Sequence, residues 1–417
     1  MSNFTRVVSF AIALSFALSL PLLHAMADGD SPQTIFVPQV AELTASGQTE
    51  FFGLSVAIDS DTAVVGTPSG GQTYQGAAYV FTRPKDGWKN MTPVAVLTAS
   101  DAKESDGFGC SVAVSADTIV VGAPGADYDS CNQAPGAVYV FVKPATGWVS
   151  MTETAKLRVP DIGSSIYSSF GSSVAISGDV VVAGAPGSYA SRFSGEGAAY
   201  VFVKPADGWS SISPTATLTP SDPIPQDDLF GWSVAMSGNT VVVGAGGKSA
   251  AYVFIEPPGG WVNMTETAKL TTGTGDQIGF SVAVVGNTVV SGSESSNSVY
   301  VFVRPNDGWR NMAETARLTA DGSEFGWSVA LSRDLIVGGA PQTTRGPNAS
   351  EGAVFVFLKP KDGWKSTGNY NTMLTGSDAK RYGQLGISVA VSGGTILTGA
   401  DRVHVGYAGA AYMFGNP

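Results

Sequence analysis

One short pattern, copied seven times along the chain, limits what this sequence can become. Its core is Ser-Val-Ala, beginning at Ser55, Ser111, Ser173, Ser233, Ser281, Ser328 and Ser388. The copies start 47 to 62 residues apart. That is the period of propeller blades, not of helical solenoid units.

Each copy reads as strands. The Ser-Val-Ala run meets a second apolar run through a very short turn, such as Ser177-Gly178-Asp179 or Ser237-Gly238-Asn239, which is a hairpin signal. A variable loop follows, then "GAAYVF" or a close relative of it. A Pro-x-x-Gly-Trp element at Trp88, Trp148, Trp209, Trp261, Trp309 and Trp364 reverses the chain again, and a short strand such as "AKLT" ends the unit. The runs are short, β-branched and punctuated by Gly and Pro, so a helical reading fails. They are continuously apolar, not alternating, as expected for strands covered on both faces by neighbouring blades. The expected fold is all-β: one seven-bladed propeller of four-stranded blades over residues 37–417, preceded by an N-terminal lead at 28–36.

The chain ends add a constraint. The seventh copy has the first three strands but lacks the Gly-Trp turn and the fourth. A matching "AELT" stands from Ala41, ahead of the first copy. The N-terminal strand is therefore expected to complete the last blade and close the ring, removing the open edges a sheet would otherwise expose.

Residues 1–27 read as a secretory signal: Arg6, an apolar stretch interrupted by Pro21, and the small residues of Ala25-Met26-Ala27. A membrane anchor is the competing reading, which Pro21 and the cleavage site disfavour. No second apolar segment follows, so no membrane insertion is expected after cleavage. Export places the protein outside the cytoplasm: secreted, periplasmic or on the cell surface. Losing Arg6 takes the formal charge from -11 to -12. An acidic chain without a basic block excludes nucleic acid as a partner. A monomer is expected.

The units resemble the FG-GAP repeat family, which builds the seven-bladed propeller at the head of integrin α subunits. Phe-Gly stands at Phe52-Gly53, Phe108-Gly109, Phe170-Gly171, Phe230-Gly231 and Phe325-Gly326, varied to Ile278-Gly279 and Leu385-Gly386. Gly-Ala-Pro is intact at residues 122–124, 184–186 and 339–341. It is altered at Gly66-Thr67-Pro68, Gly244-Ala245-Gly246, Gly292-Ser293-Glu294 and Gly399-Ala400-Asp401. The resemblance implies an adhesion or interaction module. Many units of the family hold calcium in an acidic loop between the first two strands. Here that connection shrinks to turns such as Ser392-Gly393-Gly394 or Ser332-Arg333-Asp334, so no calcium, and no other cofactor, is expected.

Chemistry-bearing residues are sparse. After signal cleavage one histidine remains, His404; an imidazole without a recognisable partner reads as a loop residue, since a general base needs a positioned second group. Asp227 with Asp228 and Asp127 with Asp129 are the visible carboxylate pairs, which a carbohydrate-active lyase or hydrolase would need and which polar loops also carry. Trp232 and Trp327 follow Phe-Gly, where a tryptophan stacks on a sugar or packs in a blade. Asn90, Asn263 and Asn348 head glycosylation sequons.

Two further expectations follow from the repeat. Cys110 follows Phe-Gly, and Cys131 lies in the loop between the second and third strands of the same blade. These places share one end of an up-and-down blade, and export permits oxidation, so a disulfide is expected. Glu50, Asp106, Asp228 and Asp276 stand two residues before the Phe-Gly position, and Glu324 stands one before. Sevenfold geometry would set them around the central opening as ligand-binding carboxylates, the alternative being that they cap turns. Together these observations point to an exported, non-enzymatic binding module that holds a protein or a glycan through its loop-rich face. A lyase or hydrolase, or a structural envelope or matrix component, are the alternatives.

Overall fold

The computed structural model describes residues 34–45, 50–69, 75–126, 135–160, 168–187, 197–222, 229–346, 349–378, 380–402 and 408–415. The expected signal peptide lies outside the described residues, as do His404, Asp127, Asp129, Asp227, Asp228, Cys131 and Asn348.

Seven antiparallel sheets stand side by side. The first blade runs through Ser55–Asp59, Thr62–Thr67, Ala77–Thr82 and Ala95–Thr98, each strand pairing with the one before. Its first strand turns into its second over Ser60 and Asp61, and every blade repeats this plan. The last blade takes Ser388–Ser392, Thr395–Ala400 and Ala410–Phe414 from the end of the chain and Gln39–Leu43 from its beginning. Gln39–Leu43 runs antiparallel to Ala410–Phe414, with Glu42 opposite Tyr412.

The apolar runs are explained by where their side chains go. In the first blade's second strand, Ala63 and Val65 enter a cluster shared with the last blade, while Val64 enters one shared with the second blade. Successive strand residues face opposite sides, so a strand between two neighbours must be apolar at every position. Among the described residues the core is accordingly seven interblade clusters.

The repeated motif residues make the joints. Phe52, Phe108, Phe170, Phe230 and Phe325 are fully buried, each with its ring 5.3 to 5.8 Å from an aromatic of its own blade's third strand. The serine of each Ser-Val-Ala donates its hydroxyl to the carbonyl of the Phe-Gly-type glycine in the next blade, at 2.7 to 3.0 Å, in all seven junctions. The glycine of Gly-Ala-Pro is needed for the same contact: a Cβ on Gly122 would lie 2.0 Å from the carbonyl oxygen of Gly171.

A second strap runs around the outside. The segment after each Gly-Trp crosses to the preceding blade, where Met151–Thr152, Met264–Thr265 and Met312–Ala313 add in parallel to outer strands. Asn90 and Asn263, the first two sequon asparagines, accept the N–H of Glu42 and Thr217 at 2.8 Å. Their repeated position has this mechanical role.

Candidate ligand pocket on the loop-rich face

The two- or three-residue turns between first and second strands lie at one end of the ring. At the other end lie the entries to the first strands and the loops leaving the second strands, held together by bridges such as Gly76 to Phe108 and Gly136 to Phe170. The lengths and sequences that vary between blades gather there, which is where binding residues are usually carried.

A pocket of about 440 Å³ opens on this face where the sixth, seventh and first blades meet. Each blade supplies the same four positions. The residues flanking the Phe-Gly position are Glu324 and Trp327, Gln384 and Ile387, and Phe51 and Leu54. The two residues after the second strand are Pro341 and Gln342, Asp401 and Arg402, and Pro68 and Ser69. Phe51, Glu324 and Gln384 all have positive φ, between 57° and 61°, so the pocket is framed by the same left-handed turn three times.

Asp401 stands where Pro68 and Pro341 stand in the neighbouring blades. Its side chain is buried, with 2% of its surface exposed, and its Oδ1 has no hydrogen-bond partner. Burial pushes its carboxyl up to about 6, against the pull of Arg402, whose Nε lies 3.9 Å from Oδ2. Arg402 reaches over the Phe51 ring, 5.6 Å from its centroid. Trp327 remains 40% exposed. Glu324 is also raised, first by burial and then by the charge of Glu294 in the fifth blade, where Glu294 again replaces the motif proline.

The mouth is built differently across the fourth and fifth blades. Trp232 meets Phe280 edge-on at 6.5 Å, and a Cβ on Gly246 would lie 3.1 Å from the Phe280 ring. Trp232 is itself 44% exposed. Both tryptophans singled out in the sequence are partly exposed, but Trp327 lines the pocket while Trp232 stands outside it, edge-on to Phe280.

The five carboxylates do not share one environment. Glu324 lines the pocket. Asp106 is buried and accepts the Lys103 N–H at 2.8 Å, the turn-capping role; burial raises its carboxyl. Asp276 accepts from the hydroxyls of Tyr300 and Thr274, and these bonds hold it below the usual carboxylate range. The Glu50 carbonyl accepts from the Thr67 hydroxyl. Asp228 lies outside the described residues.

Asp276 belongs to a set that sequence reasoning missed. Asp101 with Tyr139 and Lys156, Asp222 with Tyr252 and Lys269, and Asp276 with Tyr300 and Arg317 each join the loop before a blade to its third and fourth strands. Asp378 and Tyr412 repeat the acid–phenol bond at 2.6 Å in the last blade. The signal was a repeated Asp just after the "LT" strand, separated from its tyrosine by 24 to 38 residues. These groups are joints.

Cys110 carries a free thiol among the described residues, and Cys131, its expected disulfide partner, lies outside them. Its sulfur lies against Gly107, where an added Cβ would come within 3.2 Å of it. Burial pushes the thiol up to about 11. Among the described residues no group of three His, Cys, Asp or Glu side chains is placed to hold a metal ion, and no helix is long and apolar enough to cross a membrane.

Seven sheets with a pocketed, loop-built face define a seven-bladed β-propeller. The FG-GAP repeat profile matches residues 37–81, 91–141, 151–202, 212–254 and 312–357, more than half of the chain, and the chain belongs to the FG-GAP repeat family. Among solved structures it is similar to the WD40 β-propeller domain of Doa1, at 13% sequence identity and a TM-score of 0.54, over 91% of this chain and 97% of that one. At that identity the likeness concerns the fold alone. None of the curated proteins compared with it matches the chain.

Proposed function

We propose that this FG-GAP propeller is an exported, non-enzymatic binding module, active outside the cytoplasm, that holds a protein or glycan partner through the loop-rich face. One observation carries the reading: a preformed pocket within the usual size range of ligand sites, walled by aromatic and aliphatic side chains with a few convergent polar groups. The FG-GAP propeller is commonly a non-catalytic scaffold, and function must be argued from the site. Residues 1–27 support export.

A carbohydrate-active hydrolase is the second reading, favoured by the raised carboxyl of Asp401 beside Glu324 in one pocket. Incubating the protein with polysaccharides and assaying for new reducing ends or unsaturated products separates the two. Binding without products is expected; product formation lost in D401N would replace the binding reading. A pull-down from the host surface, with the loop-rich face altered in a control, tests the partner directly.

A further inference from the structure

We infer that the pocket between the sixth, seventh and first blades is a subsite for one neutral sugar residue of a glycan, seated against Trp327 and hydrogen-bonded by Asp401. This rests on the binding reading above and names its ligand.

The chemistry of the walls selects among ligands. Trp327 and Phe51 bring aromatic rings to the pocket; Trp327 is 40% exposed in the free protein, while one face of Phe51 lies under the Arg402 guanidinium. Exposed aromatic faces take the apolar C–H side of a sugar ring as readily as any flat apolar group. Around them stand groups that pair hydroxyls: the Gln342 and Gln384 amides each donate and accept, and Asp401 accepts. The free Oδ1 of Asp401 is the second, independent sign of a ligand. A carboxylate oxygen buried without a partner is costly, and a donor arriving from the pocket removes that cost.

Charge narrows the choice to a neutral donor. A cationic side chain reaching Asp401 would meet the guanidinium of Arg402, already 3.9 Å from the other carboxylate oxygen. An anionic group would face Asp401 and Glu324 together. A hydroxyl supplies the missing hydrogen bond and adds no charge. The volume of about 440 Å³ admits a ring and its substituents, while an extended peptide would need a groove continuing across further blades.

The test uses the full chain on an array of neutral, acidic and basic glycans, followed by calorimetry with the strongest neutral binder. Binding to neutral glycans is expected, with affinity falling about tenfold or more in W327A and in D401A, and roughly unchanged in W232A, whose similarly exposed ring lies outside this pocket. Thermal unfolding of each variant is recorded alongside. Should a variant unfold, the milder W327F and D401N keep the test valid, with a smaller loss expected in each. Glycan binding abolished by W232A and untouched by W327A would overturn this subsite and leave the binding module standing. Capture of a protein partner with W327A as the sensitive variant, and no glycan bound, would keep the site and overturn the sugar. No partner of either kind would overturn the functional reading itself.

Discussion

The hydroxyl of Ser388 donates to the carbonyl of Gly53 at 2.7 Å, joining two residues 335 positions apart. It is the seventh member of a ring in which the other six bonds cross 45 to 60 residues. The same geometry thus spans the chain ends as spans any two consecutive blades.

S388A should lower stability by about 1 kcal/mol, the ordinary worth of such a bond. G53A should cost more, about 2–4 kcal/mol, because Gly53 has φ +95° and an added Cβ would lie 2.7 Å from the Ala410 carbonyl oxygen. Urea unfolding of both variants measures the difference. Equal, negligible effects would mean that the joint between the last blade and the first bears no load.

The outer strand of the last blade should be as important as any internal one. Leu43 is fully buried in the cluster between the last and first blades. L43A should cost about 2–5 kcal/mol, and deletion of residues 28–45 should give an aggregating or unfolded chain, since an open edge and an apolar face are both exposed. A deletion variant that melts like the parent would show the ring holding without this strand.

Asp401 should cost the protein stability at neutral pH and progressively less as the solution is acidified. Its folded value is about 6, above the ordinary 3.8, so the folded state takes the proton more readily. Below pH 3.8 both states are protonated and Asp401 costs nothing. The penalty grows as pH rises from 3.8 to 6 and is complete above that, at most about 3 kcal/mol from the shift. D401N should therefore gain on the parent at pH 7.5 and lose that advantage by pH 4. Unfolding midpoints at the two values read it directly.

Asp222 has the opposite sign. Burial alone would raise its carboxyl, but the ammoniums of Lys269 and Lys248 and the Tyr252 hydroxyl bind it and bring it below its usual value. Its contribution is full above the ordinary carboxylate range and fades as pH falls through the folded value. The group is partly exposed, so after solvent screening D222N should cost about 1 kcal/mol at neutral pH. Glycan or protein binding should be unchanged, which separates the joint carboxylates from the pocket ones.

Cys110 should label slowly in the folded protein and fully once denatured without reductant. With the thiol at about 11, roughly one molecule in a thousand carries the thiolate at pH 8. Iodoacetamide kinetics followed by mass spectrometry give both numbers; a Cys110 that resists labelling after denaturation would show it to be bridged.

Much of this architecture was legible because it repeats. Seven copies of Ser-Val-Ala with Phe-Gly and Gly-Ala-Pro define strands, turns and blade number, since each motif residue answers a local demand: a buried Phe, a glycine with no room for Cβ, a serine that reaches one blade over. The "AELT" at Ala41 carries the signature of a fourth strand wherever it stands in the chain, and its pairing with Ala410–Phe414 follows that signature.

The pocket was legible only as a set of departures. Asp401 in place of a motif proline was visible, but its burial, its free Oδ1 and its nearness to Trp327 depend on three blades meeting at angles that no single repeat encodes. The acids before Phe-Gly looked equivalent because they share a position in the repeat. Tertiary structure gave Asp106 a backbone N–H, Asp276 a tyrosine and Glu324 a pocket, because each loop's fold and each neighbour's side chain, not the repeat, decide where a carboxylate can be solvated. Local sequence determines the blade; the meeting of blades determines the site.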